Sequence, residues 1–417
     1  MASDPLAHLA EQLDQLEREG LRRHAREPIA SAALSFCSND YLGLAARPAP
    51  SVASGSGASR LIAGEHDQHR RLERAFAAWL GADDALAFAS GYAANVGAMS
   101  ALAGPRDLIV SDALNHASLI DGARLSRARV AVVPHGDRDA VERAVADRSE
   151  ARAWVVVESY YSMDADGPDL ADLRAICDRH GAALYVDEAH ALGVLGPGGR
   201  GRCAEAGVTP DVLVGTLGKA FGTQGAFVAG RTVLREWLWN RARSFVFSTG
   251  LAPVCAAAGV RALQTVIDEP ALALRVRELS DRLRRGLVAA GAVQAGAHHA
   301  AAGPAVSEVS RRERGEPDFH ALHAPALLGF GHVVPLVLGT PTRALRWAAA
   351  MREQGIEVHA IRPPTVPAGA SRIRMTVTAA HSEADVDRAV AAFARASGRE
   401  RLEKEGSSAD ARDGAPR

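Results

Sequence analysis

Of the 48 basic residues in this 417-residue chain only two are lysine, Lys219 in "GTLGKAFG" and Lys404 near the C-terminus. Arginine can replace lysine wherever a solubilising or pairing charge is enough, but its guanidinium stays protonated and cannot serve as a nucleophile. A lysine retained in the body of such a chain marks a position that requires an amine. Upstream, "LYVDEAHALG" supplies an acid, Asp187, and an imidazole, His190. Together the three suit a lysine that bonds covalently to an aldehyde cofactor. Pyridoxal phosphate needs a Schiff-base lysine, an acidic partner for its ring nitrogen and a seat for its phosphate.

Two other readings of these stretches fail on spacing. Asp-Glu-Ala-His also names a class of ATP-driven helicases, but such motors need a Gly-x-x-x-x-Gly-Lys-Ser/Thr loop upstream of the acids. Here the single Gly-Lys pair, Gly218–Lys219, comes after them, with Leu213 in place of the first glycine and Ala220 in place of the hydroxyl residue. "GPGGRG" (196–201) formally satisfies Gly-x-Gly-x-x-Gly. It holds a proline and follows a polar turn, whereas a dinucleotide fingerprint joins a strand to the helix it opens.

The elements that must position the candidates are legible as alternating periods. Apolar runs at 85–90, 107–111, 130–134, 153–159, 182–189, 211–216 and 225–230 are separated by helical stretches. Continuous β-branched runs of this kind predict strands buried on both faces of a mainly parallel sheet. Ligands of such sheets bind beyond the carboxyl ends of the strands, where Ser90, Ser111, Glu158, Asp187 and Thr216 fall. "SGYAAN" (90–95) then offers amides at a helix N-terminus for a phosphate, and His116 in "NHASL" is a candidate to stack on the ring. Outside this block, residues 6–19 read as an amphipathic helix and 253–289 as one long helical stretch. Residues 293–331 read as an exposed loop or insertion, 332–339 and 371–378 as strands of a small half-exposed sheet, and the polar segment from 399 as disordered.

Composition narrows the class further. A net charge of −1 gives no broad field for nucleic acid or anionic membrane. No run approaches the roughly 18 apolar residues of a membrane span. The four dispersed cysteines read as free thiols of a reducing cytoplasm. His298, His299, His320 and His323 have no spacing that closes a metal site, so no metal is expected.

The segments "SNDYLGL", "GSGASR", "SGYAAN", "NHASL", "ESYYSMDAD", "VDEAHALGVLGPGGRG", "GTLGKAFG" and "STG" resemble the α-oxoamine synthases, a family of fold-type I pyridoxal-phosphate enzymes. The likeness runs over roughly residues 5–398. It implies an α/β fold with a seven-stranded, mainly parallel sheet and a smaller α+β domain. The boundaries expected are 1–48 for an N-terminal helix and extended segment, 49–250 for the cofactor domain, 251–398 for the small domain and 399–417 for a tail.

Residue roles follow from the same likeness. Lys219 would bind the cofactor's aldehyde, Asp187 would meet the pyridine nitrogen and His116 would stack on the ring. Gly91, Tyr92, Ser162, His190 and Thr216 would hold the phosphate or ring substituents, and Asn39 and Glu158 match further active-site positions. Arg22, Thr365 and Arg374 would meet substrate, Arg374 through the amino-acid carboxylate. Ser248 and Thr249 would reach the phosphate of the neighbouring subunit in a homodimer.

"AIRPPTVPAGASRIRMTVTAAH" (360–381) most resembles the branch of the family in the biotin pathway. That branch condenses L-alanine with pimeloyl-CoA or pimeloyl-acyl carrier protein. The alternatives are another α-oxoamine synthase using glycine or serine, and a non-catalytic binding protein of the same fold. One departure stands out: Glu65 and His66 replace an aromatic and a serine frequent in relatives, which bears on acyl-chain contacts.

Overall fold

The computed structural model describes residues 5–25, 33–295 and 324–413. The N-terminal helix α1 (Ala7–Arg18) is followed by the short strand β1 (Leu34–Ser35) and by α2 (Asp67–Leu80). Then the expected alternation begins: β2 (Asp84–Phe88), α3 (Gly91–Leu102), β3 (Asp107–Asp112), α4 (Ala117–Ser126), β4 (Arg129–Val133), α5 (Arg138–Ala146), β5 (Arg152–Glu158), α6 (Leu170–His180) and β6 (Ala183–Asp187). A short helix α7 (Gly201–Glu205) precedes β7 (Val212–Thr216) and β8 (Ala226–Gly230).

All seven apolar runs become strands of one sheet in the order β2-β8-β7-β6-β5-β3-β4. The strands β3 to β7 pair in parallel, and β8 alone runs against its neighbours. Side chains alternate between two helical layers, as a period of two requires. Val156 packs on the side of α3 and α4 with Ile109 and Tyr185, while Val155 and Val157 face α5 and α6 with Val110 and Val186. Apolar residues at every position are therefore consumed by two cores.

The remaining chain builds a second layer. Helices α8 (Thr232–Arg241), α9 (Arg243–Val246), α10 (Pro253–Asp268) and α11 (Ala271–Ala289) lead to β9 (Val293–Gln294), β10 (Ala326–Leu327) and β11 (Val333–Gly339). Next come α12 (Pro341–Arg352), β12 (Ile356–Glu357), β13 (His359–Ile361), β14 (Ser371–Thr376) and α13 (Glu383–Asp413). A five-stranded sheet runs β13-β14-β11-β10-β9, and β1 pairs in parallel with β12.

Four expectations are corrected. The stretch 253–289 is two helices, because Pro270 has no N–H to continue the ladder and the chain breaks at Glu269–Pro270. The 293–331 segment is not loop throughout: its ends form β9 and β10, which pair in parallel. Its centre, with His298, His299, His320 and His323, lies outside the described residues. The segment from 399 is not without structure, since α13 continues to Asp413. Its first turn past the small domain is held by Glu400, which accepts from Arg343 at 2.6 and 2.9 Å and from the Trp347 indole at 3.3 Å.

Finally, β11 and β14 are buried throughout, not half-exposed. One face packs on α11 to α13. The other carries Arg372 and Arg374 against a turn that follows β5.

The second layer is tied together by Arg284 of α11. All five of its N–H groups meet backbone carbonyls, of Leu328, Gly329, Phe330, Gly331 and Val333. Arg284→Met should lower unfolding free energy by at least about 3 kcal/mol, because several buried acceptors lose their donor together. The exposed neighbour Arg285→Met should stay within about 0.5 kcal/mol. Urea denaturation of both variants checks this, and equal effects would contradict it.

Candidate active site

The candidates converge at the carboxyl edge of the large sheet. In the register of β5 and β6, Glu158 lies directly beside Asp187. The next strand, β7, ends at Thr216 and turns sharply into the antiparallel β8. Lys219 sits in that turn, closed by Leu217 N–H to the Gly225 carbonyl at 2.8 Å and Thr223 N–H to the Leu217 carbonyl at 3.0 Å. Gly222, at φ +62°, allows the turn to lie on the backbone of Leu44 and Ala45, where an added Cβ would come within 2.4 Å.

Burial pulls the Lys219 amine down to about 8, against the pull of Asp187 and Glu158 to keep it charged. It has no ion-pair partner within 4 Å among the described residues. Burial, with Asp187 as neighbour, pushes Glu158 up to about 8. Two adjacent carboxyls and a buried amine thus share one site.

Asp187 is held from two sides. One carboxylate oxygen accepts from the Ala189 N–H at 2.8 Å, the other from the Asn95 side-chain amide at 2.7 Å. Asn95 lies in α3 and is itself fixed by the Ser118 hydroxyl at 2.9 Å and the Tyr185 hydroxyl at 2.9 Å. His190 Nδ1 hydrogen-bonds the Tyr41 hydroxyl at 2.7 Å. Burial and the nearby Lys219 and Arg374 hold the His190 imidazole well below its usual range, so it is neutral. Burial pushes the Tyr41 phenol up to about 12.

His116 caps α4, its Nδ1 within 2.7 Å of the Ser118 hydroxyl, and its backbone N–H donates to Glu158 at 2.6 Å. At the start of α3 the Ser90 hydroxyl accepts from the Ala93 N–H at 3.1 Å. The N–H groups of Gly91 and Tyr92 have no partner within the helix, beside Thr216. The Tyr92 hydroxyl turns outward to Asp121.

The donor set fits pyridoxal phosphate. It offers an unpaired buried amine, an anchored carboxylate, a neutral imidazole and free amides at a helix N-terminus, where an anion is favoured. The neighbouring "GPGGRG" has a different job. Its turn presents the N–H groups of Arg202 and Cys203 to Glu188 at 3.1 and 2.6 Å, and Glu188 also accepts from the Ser159 hydroxyl at 2.6 Å. In the Asp-Glu-Ala-His string, then, Asp187 and His190 face the site and Glu188 secures the backbone around it.

The expected substrate residues fall into two groups. Arg374 donates through Nε to the Ser162 carbonyl at 2.8 Å and through both terminal nitrogens to the Asn39 side-chain oxygen at 3.1 Å. Arg22 and Thr365 instead line a cavity of about 620 Å3 with Arg23, His24 and His359. His359 is the cross-strand partner of Arg374, so the cavity borders the same strand. Ser248 and Thr249 are exposed, and no hydrogen bond joins them to the Lys219 cluster. Glu65 is occupied by Arg60 and by Arg70.

Tyr41 and Asn95 have no role assigned from sequence, although "SNDYLGL" and "SGYAAN" contain them. Their partners are 149 and 92 residues away.

Enclosing Lys219 should cost the cofactor-free protein stability. Because the folded-state value lies below the unfolded one, the penalty is full below about 8 and vanishes above the usual lysine range near about 10.4. Lys219→Met should therefore raise the melting temperature of the cofactor-free protein at pH 7, with a gain that shrinks as pH climbs through that window. A variant less stable at pH 7 would contradict the account.

The family model described as aminotransferase class I and II matches residues 32–303 and 317–393. An 8-amino-7-oxononanoate synthase from Anaeromyxobacter sp. (strain K) is 43% identical over 416 residues, covering 94% of this chain and 96% of its own. Another, from Mycobacterium sp. (strain KMS), is 44% identical over 398 residues, covering 92% and 95%. Among solved structures, a serine palmitoyltransferase from Sphingomonas wittichii superposes with a TM-score of 0.80 at 27% identity over 95% of this chain and 99% of its own. An 8-amino-7-oxononanoate synthase from Francisella tularensis shares the fold with a TM-score of 0.69 at 23% identity, covering 88% and 98%. A serine palmitoyltransferase from S. paucimobilis solved with bound pyridoxal phosphate gives 0.81 at 25%, covering 95% and 99%. With near-complete coverage at this identity, the chain belongs to the 8-amino-7-oxononanoate synthase family, within the class I and II aminotransferase fold.

Proposed function

We propose that the chain joins L-alanine to a pimeloyl thioester, carried by CoA or by acyl carrier protein. The reaction releases the thiol and carbon dioxide and gives 8-amino-7-oxononanoate, a step of biotin biosynthesis. The carrying observation is the buried Lys219 amine, brought to about 8 beside the Glu158–Asp187 pair. Bound pyridoxal phosphate supplies an aldehyde for amines and an electron sink for charge at the amino-acid Cα.

The chain's own residues do the rest. Asp187, fixed by Asn95 and Ala189, holds a proton at the pyridine nitrogen. His116 lies over the ring, and His190, oriented by Tyr41, meets its substituents. Gly91 and Tyr92 give backbone amides to the phosphate, with Ser162 and Thr216 nearby.

Lys219 takes the Cα proton of alanine as general base, a task suited to a value near the working pH. Cα then bonds to the pimeloyl carbonyl carbon as the carbon–sulfur bond breaks. The alanine carboxylate leaves as carbon dioxide, and Lys219 returns a proton to the same carbon. Arg374 grips that carboxylate until it departs: three of its hydrogen bonds go to Ser162 and Asn39, leaving two of its five N–H groups for substrate. Arg22 and Thr365 belong to the acyl side, in the adjoining cavity.

The working unit in this reading is a cytoplasmic homodimer. Support comes from exposed Ser248 and Thr249, from the exposed row Leu6, Leu9, Leu13 and Leu16 on α1, and from four free cysteines. The likeness to serine palmitoyltransferase at 27% identity keeps a second acyl-CoA and amino-acid pair as the rival.

Mass spectrometry of products from alanine, glycine and serine against pimeloyl and palmitoyl thioesters separates the two. The expected product is 8-amino-7-oxononanoate from alanine and the pimeloyl thioester. A product only from serine and palmitoyl-CoA would replace this reading. Lys219→Ala should lose at least about 10²- to 10⁴-fold in turnover. Asp187→Asn should severely slow exchange of the alanine Cα proton into deuterated water, and an unchanged exchange rate would remove Asp187 from its role.

A further inference from the structure

Strand β14 sends two arginines to the same side, as residues two apart must. Both land on one turn, Tyr161–Asp166, which follows β5. Arg374 takes the Ser162 carbonyl. Arg372, with no exposed surface, takes the Met163 carbonyl at 2.5 Å and a carboxylate oxygen of Asp164 at 2.9 Å. The turn closes on itself through Ala165 N–H to the Tyr161 carbonyl and Tyr161 N–H to the Asp166 carbonyl, both at 2.8 Å.

Ala165 sits at φ +58°, a left-handed conformation that an alanine adopts only when its surroundings impose it. Those surroundings are clear. Asp166 and Asp112 flank the buried His135 at 3.2 and 2.9 Å. The Ala165 carbonyl accepts from the Phe330 N–H at 2.8 Å.

The two arginines differ in one respect. Arg372 is neutralised by Asp164, whereas Arg374, almost as buried, has no carboxylate within 4 Å among the described residues. Asp164 is two residues from the carbonyl that Arg374 holds. Without Arg372 the nearest uncompensated cation to that carboxylate on this strand is Arg374 itself.

We infer that Arg372 is a positioning residue that sequesters Asp164, so that the charge of Arg374 stays open to the carboxylate of the amino-acid substrate. The inference rests on the reading of Arg374 given above. It treats a buried ion pair as a device for specificity, since such pairs contribute little net stability, and it resembles the exclusion of a wrong partner in binding sites.

The test uses the holoenzyme and two readouts, steady-state kinetics and the dissociation constant of L-alanine alone, followed by absorbance. Arg372→Gln keeps a donor to the turn but removes the charge. It should raise the alanine KM and dissociation constant by about tenfold or more while kcat changes by less than about threefold, as expected for lost ground-state binding. Arg372→Lys restores a cation beside Asp164 and should stay within about threefold of the parent protein. The decisive variant is Arg372→Gln with Asp164→Asn. Removing the competing carboxylate should return alanine binding to within about threefold of the parent, a coupling that only interacting residues show.

A double variant as weak as Arg372→Gln would overturn the inference, and so would an Arg372→Lys protein as weak as Arg372→Gln. If Arg372→Gln does not fold, Arg372→Met takes its place with the same expectations. Arg374→Lys separates the two levels. Unchanged alanine binding there would refute the role of Arg374, whereas weakened binding there with none in Arg372→Gln would refute only the sequestration of Asp164.

Discussion

A primary amine loses most of its hydration when it is enclosed as Lys219 is, and only the carboxyl groups at the ends of β5 and β6 offset that loss. The offset is partial by construction. A closer carboxylate would pin the amine as a cation, and none would leave the burial unsupported. Parallel neighbours bring Glu158 and Asp187 side by side, so their own repulsion keeps Glu158 high and weakens its claim on the amine. The chemistry asked of this position, accepting and returning a proton near neutrality, follows from that balance.

Much of the surrounding structure serves to keep the participants from moving. Asp187 is aimed by Asn95 from α3, His190 by Tyr41 from the N-terminal segment, and Glu188 by the amides of the glycine-rich turn. These second contacts come from elements on different sides of the sheet edge, so the geometry is set by the sheet's order and not by one loop. Such supporting hydrogen bonds fix orientation as firmly as the primary ones fix chemistry.

How much of this was legible depended on the distance over which each signal acts. The seven strands could be read because burial on both faces leaves an unbroken apolar run in the chain itself. Lys219 stood out because arginine fills nearly every other basic position, and Asp187 and His190 because they fall at a strand end. Tyr41 and Asn95 carried no such mark, since their partners lie far away in sequence and a tyrosine or asparagine satisfies many local roles. The strand β14 was misjudged for a related reason. Its alternating arginines mimic a face turned to water, and only the fold shows that a turn from the other sheet covers them. The polar segment from 399 looked unstructured by composition, but Glu400 binds Arg343 and Trp347 and the helix carries on.

The guanidinium of Arg284 gathers the chain where it returns to the second sheet, and through Phe330 that same stretch rests on the carbonyl of Ala165. The return point is therefore anchored independently of whatever joins Gln294 to Ala326. Evolution can lengthen, shorten or rewrite that connection as a free module, because its mechanical load ends at one knot before it reaches the strand that carries the substrate-facing arginine.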